Sequence, residues 1–142
     1  MTKRWLGMSA VSSAMAVCGV LAFGSTSRGE SQGPCSDRTI QGEYAFAIEG
    51  ALPVRGVAMT EFDGVGNLTQ VDHVVVNYNP PKTEWRPGIG TYSVNPDCTG
   101  TAQLQNEGTP GTLTLFFVVA REGKEIRTVV NGGAGSSVGI KR

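Results

Sequence analysis

Few side chains in this 142-residue chain could do chemistry. His73 is its single histidine, and no G-x-S-x-G elbow offers a nucleophile to partner it. One imidazole without clustered cysteines is also too few ligands for a common zinc site. The stretch DGVGN, Asp63 to Asn67, has the oxygen-bearing residues of a calcium loop. Val65, however, stands where the central ligand belongs, so the stretch reads as a hairpin turn and no metal is expected. Carboxylates remain. Glu43, Glu49, Glu61 and Asp72 all fall in extended stretches, and two of them turned into an enclosed space could do acid-base work.

The elements that must position these groups are strands. From Gly42 onward apolar residues recur with period two, broken at short intervals by glycine-rich or proline-rich turns. In GEYAFAIE, residues 42–49, Tyr44, Phe46 and Ile48 share one face and Glu43, Ala45, Ala47 and Glu49 the other. Glu43 and Glu49 therefore read as solvent-facing. A second strand spans 56–62, and DGVGN turns it into a third, 68–79, which Pro80 and Pro81 must stop. If the turn pairs Phe62 with Leu68, the register sets Val57 opposite His73, Ala58 opposite Asp72 and Glu61 opposite Thr69. His73 is then one side chain on a strand face. Gln70 and Asp72 share a face with Phe62, Leu68, Val74 and Val76, and a polar pair on an apolar face could orient a ligand.

Further strands are expected at 89–95, 101–106, 112–120, 125–131 and 137–142. The sixth is apolar on both faces near Phe116 and Phe117, which suggests a central position. The fold class is therefore all-β: a small up-and-down barrel of about eight antiparallel strands, with a two-sheet sandwich as the alternative.

Three cysteines punctuate the chain. Cys18 lies within an uncharged, small-residue run that follows Lys3 and Arg4, the pattern of a secretory signal peptide over residues 1–28, with cleavage between 22 and 28. Glycines and serines weaken the rival reading of a membrane anchor, and Val17 weakens lipidation at Cys18. Removal of the signal would leave Cys35 and Cys98, an even pair that reads as a disulfide in an oxidising compartment. The turn NPDCTG needs no cysteine, since Asp97 can bond locally and Gly100 can supply a positive φ. Cys98 should therefore pin a flexible lead-in, residues 29–41, to one end of a barrel domain, residues 42–142. A chain starting at Gly29 carries 9 basic and 12 acidic residues, a net −3, which gives no footing for nucleic acid or an anionic membrane.

The set CSDRTIQGEYAFAIEG, TEFDGVGNLT and GTYSVNPDCTGTAQL resembles a group of small exported bacterial proteins. In these a cysteine precedes a G-x-Y-x-F strand, an F-D-G-x-G-N hairpin follows, and a second cysteine lies in G-T-Y-x-V-N-x-D-C-T-G-T. The resemblance implies a closed barrel of the allene oxide cyclase or dirigent type, related in shape to lipocalins. It carries no activity onto particular residues. Barrels of this shape elsewhere bind hydrophobic small molecules or guide cyclisations, which is analogy at the level of fold.

The sequence thus leads to an expectation of a secreted or periplasmic, non-catalytic barrel without a cofactor. It would bind an apolar or amphipathic small molecule, or a surface partner, with Tyr44, Phe46, Phe62, Gln70, Asp72, Tyr92 and Phe117 as candidate ligand-binding residues. Two alternatives stand beside it: a cyclase or isomerase using Asp72, Glu61 or Tyr92 for proton transfer, and a purely structural extracellular module. The mature chain is not expected to insert in a membrane, and its oligomeric state is open.

Overall fold

The computed structural model describes residues 33–51, 53–133 and 135–142. The signal-peptide reading, Cys18 and the first part of the lead-in lie outside them.

Eight antiparallel strands follow one another around a closed barrel: β1 (Gly42–Glu49), β2 (Val54–Phe62), β3 (Asn67–Val76), β4 (Arg86–Val94), β5 (Thr99–Asn106), β6 (Leu113–Ala120), β7 (Glu125–Val130) and β8 (Ser136–Lys141). β8 returns to pair with β1, Ala47 opposite Val138, so the ladder has no edge. The expected up-and-down barrel is therefore the fold, and the alternative sandwich is not. The β2–β3 register is the expected one, with Phe62 opposite Leu68, Val57 opposite His73 and Ala58 opposite Asp72. DGVGN fixes it: Asp63 Oδ1 accepts from the Val65 and Asn67 amides at 2.8 and 2.9 Å, and Oδ2 from Asn67 Nδ2 at 2.7 Å. Those donors hold the Asp63 carboxyl below its ordinary pKa, the Asn67 side chain contributing most.

Four expectations need correcting. A closed barrel has no central strand, so the outward half of β6 remains at the surface, with Phe116 47% exposed. In NPDCTG the positive φ falls on Cys98, at 67°, and not on Gly100. Gly100 lies in β5, where a Cβ would meet the Phe117 ring at 2.3 Å. Finally, β3 ends at Val76, because Asn77 and Tyr78 reverse the chain in left-handed conformations before the prolines are reached. β4 begins at Arg86, three residues ahead of the expected start. Pro87 is tolerated there near the beginning of a strand, where β5 has already ended opposite it and its carbonyl still accepts from Glu107 N at 2.9 Å.

Connections 63–66, 95–98 and 121–124 gather at one end of the barrel, and residues 50–51, 53, 77–85, 107–112, 131–133 and 135 at the other. The first end is plugged. Phe62 packs edge-on between Tyr44 and Tyr92, with ring centroids 5.5 and 4.9 Å apart, and Ile40 and Ile126 are buried with them. Two short 3-10 turns, Asp37–Ile40 and Arg121–Gly123, lie across this end. Tyr44 Oη donates to the Gly123 carbonyl, and the Tyr92 hydroxyl accepts from Gly64 N at 2.8 Å while donating to Asp37 O at 3.2 Å. Asp37 Oδ1 accepts from Val94 N at 2.7 Å. Cys35 and Cys98 form a disulfide across this end, their Cα atoms 5.1 Å apart. The segment from Cys35 to Gln41 is thus tied to the barrel by a covalent bond, by Asp37 and by the fully buried Ile40.

Candidate functional site

The unplugged end opens onto a half-enclosed cavity of about 370 Å³. Its wall follows from strand alternation: the inward residues of β1, β2, β3, β5, β6 and β7 present Phe46, Ile48, Ala58, Phe62, Leu68, Leu104, Leu115, Phe117 and Ile126 to it. Space survives because two phenylalanine rings lie back against the wall. Phe46 is opposite Gly139 and Phe117 opposite Gly100, and in each pair a Cβ on the glycine would sit 2.3 Å from the ring. A side chain at either position would drive its ring toward the lumen.

One polar cluster interrupts this surface. Asp72 is 1% exposed, and its two oxygens accept four hydrogen bonds. Arg86 clamps it in two places, Nε to Oδ1 at 2.8 Å and Nη2 to Oδ2 at 3.1 Å. Asn106 Nδ2 and Gln70 Nε2 reach Oδ2 at 2.8 and 3.2 Å. The cluster continues outward: Thr60 donates to Gln70 Oε1 at 2.9 Å, and Arg86 Nη1 donates to Thr109 Oγ1 at 3.0 Å. Paired strands bring it together, since Asp72 lies opposite both Ala58 and Arg86. The Asn106 amide orientation is forced, because the reverse would set Oδ1 against the carboxylate. Its Oδ1 is buried without a partner, above Gly88. A second, smaller polar spot is formed by Thr128 and Ser137, whose hydroxyls are 2.7 Å apart.

Of the residues singled out from the sequence, Phe46, Phe62, Gln70 and Phe117 line the cavity, and Asp72 lies behind that surface beneath Arg86 and Gln70. Tyr44 and Tyr92 do not reach it. They face inward as expected but stand at the plugged end, where their hydroxyls are taken by backbone groups. Burial, with the neighbouring Tyr92 adding to it, pushes the Tyr44 phenol up to about 12, and burial likewise raises Tyr92. Neither is placed to hand a proton to a molecule in the cavity. Glu43, Glu49 and Glu61 are on the outer wall, Glu43 beside Arg142 and Glu49 beside Arg55. His73 is also outward, and since a carbonyl only accepts, its Nδ1 carries the proton given to Glu84 O at 2.6 Å.

Sequence reasoning missed Arg86, Asn106, Thr60 and Thr109. Arg86 has a signal in retrospect: it shares the even-numbered inward face of Tyr92, and continuing β4 backward through Pro87 sets it opposite Asp72. Asn106 closes the alternation of β5, in which Ala102 and Leu104 are the inward residues before it.

The chain matches no family model, no curated protein and no solved structure. Among the described residues no helix is long and apolar enough to cross a membrane, and no three His, Cys, Asp or Glu side chains are grouped to hold a metal ion.

Proposed function

We propose that this protein is an exported, non-catalytic barrel that binds an apolar or amphipathic small molecule in the cavity at its open end. The observation that carries this is the cavity itself: about 370 Å³, walled by aliphatic and aromatic side chains and interrupted by an ordered polar cluster and a smaller hydroxyl pair, in a barrel whose other end is sealed. Ligand sites have this character, starting near ~300 Å³ with a few fixed polar groups that orient the occupant. The arrangement favours binding over turnover, because Asp72, among the described residues the one buried carboxylate beside the cavity, already accepts four hydrogen bonds. A general base needs an oxygen aimed at its substrate. Secretion or export to a periplasm is supported by the disulfide and by the signal-like run before it.

Native mass spectrometry of the full chain, expressed with export to an oxidising compartment and never refolded, tests this directly. A bound mass that disappears on denaturation is the expected result. A bare protein that also takes up none of a panel of added medium-chain apolar compounds would overturn the reading and favour a structural module or a role for the outer wall.

A further inference from the structure

We infer that the cavity selects uncharged ligands bearing a hydrogen-bond acceptor, such as a ketone, ester or alcohol oxygen, and discriminates against carboxylates of the same length. This rests on the proposed binding function and specifies its ligand class.

Arg86 is the one ionised side chain lining the cavity among the described residues, and taken alone it would suggest an anionic headgroup. Its charge is already answered. Asp72 holds the guanidinium in a two-pronged contact and is itself almost wholly buried, so the pair is close to neutral as seen from the cavity. A ligand carboxylate entering here would lose its hydration against apolar walls. It would meet no net positive charge in return, with a second carboxylate on the far side of the same guanidinium. A neutral oxygen avoids that penalty.

The same cluster still has donors to offer. A guanidinium carries five N–H groups, and three of those of Arg86 are committed, two to Asp72 and one to Thr109. The Gln70 amide gives one of its two hydrogens to Asp72, and the Thr109 hydroxyl, which accepts from Arg86, keeps its own proton. All three side chains line the cavity. Unused donors beside a cancelled charge are matched by a neutral acceptor.

The test uses the unaltered, oxidised protein and three ten-carbon probes: a methyl ketone, the primary alcohol and decanoate. Calorimetric titrations at a pH where decanoate is ionised should give affinities for the ketone and alcohol about tenfold or more above that for decanoate. In Asp72→Asn the guanidinium is no longer cancelled, and the order should reverse in favour of decanoate. Decanoate binding to the unaltered protein as tightly as the ketone would overturn the inference while leaving the binding function standing. If none of the three probes binds, the binding function falls and the inference with it. The comparison on the unaltered protein decides the matter even if Asp72→Asn fails to fold.

Discussion

Tyr44 and Ile48 stand on the same face of the same strand, yet belong to regions built to opposite ends. Around Tyr44 every inward group has a partner: rings meet rings edge-on, phenols reach backbone carbonyls, and a disulfide and two 3-10 turns cover the whole. Around Ile48 the walls are apolar but face a void, and the polar atoms gather into the Asp72 cluster on the β2–β5 side and the smaller Thr128–Ser137 spot across from it. Bulk separates the two, since tyrosine and phenylalanine fill the lumen at one end. Beyond that plug, the Phe46 and Phe117 rings fold back over glycines and leave the lumen open. A barrel of eight strands is just wide enough for its interior to be filled by side chains or to hold one small ligand, and this one does each at a different end.

The contrast implies that the plugged end carries stability and the open end carries specificity. The heaviest blow to stability should therefore come from the disulfide. Removing it through Cys98→Ser, or by reduction, should lower unfolding free energy by roughly 4 kcal/mol, as expected for a link spanning 63 residues, measured by denaturant titration. A drop below about 1 kcal/mol would mean that the plug holds without it. Next comes Asp72→Ala, which strands a guanidinium whose side chain is only 17% exposed and should cost about 3 kcal/mol. The double replacement Asp72→Leu with Arg86→Met should recover most of that stability while abolishing preference among headgroups. If the double variant is as unstable as the single, the cluster belongs with the stabilising end and the division fails.

A smaller loss, about 1–3 kcal/mol, is expected for Gly139→Ala, which pushes the Phe46 ring into the lumen. Affinity for any apolar probe should fall with it, whereas a cavity shaped by other means would keep its ligand. Tyr44→Phe should cost about 1 kcal/mol by removing the hydrogen bond to Gly123. It should also alter the alkaline limit of stability. The folded phenol, near 12 against an ordinary 10, favours the native state fully below pH 10 and loses that contribution as pH rises through 12. Phenolate absorbance against pH should show two delayed phenols, Tyr44 and Tyr92, in the parent and only Tyr92 delayed in the variant. The smallest effect falls on the acid side. Asp63, held below 3.8, stabilises its turn above that pH and ceases to as pH falls beneath it, so Asp63→Asn should flatten the acid dependence of the melting temperature slightly.

Much of this architecture could be read in advance, for reasons visible in single residues. Alternation separated inward from outward on β1, and the DGVGN turn fixed the β2–β3 register, because one turn geometry permits one pairing. Depth along the barrel is a different quantity, and alternation does not encode it. Tyr44, Phe62 and Tyr92 face the lumen as surely as Phe46 and Phe117, and only their nearness to the connections at the plugged end distinguishes them. Arg86 was hidden by its neighbour, since a proline reads as a loop unless its position near a strand start is known. The glycine at 100 was read for its backbone freedom when its use is the absence of a Cβ beneath Phe117.

The pairing of β8 with β1 also governs kinetics. A molecule cannot slip between strands of an unbroken ladder without parting several backbone hydrogen bonds at once, so the route in and out runs past the connections at the open rim. Exchange rate is then decided by how readily those connections yield. There the β2–β3 and β6–β7 ladders run on into the connections and tie them down, Asn77 N to Pro53 O at 2.9 Å and Asn131 N to Thr114 O at 2.8 Å. Loosening such a tie should shorten the residence time of a bound molecule and quicken its uptake in proportion, leaving the equilibrium constant nearly where it was.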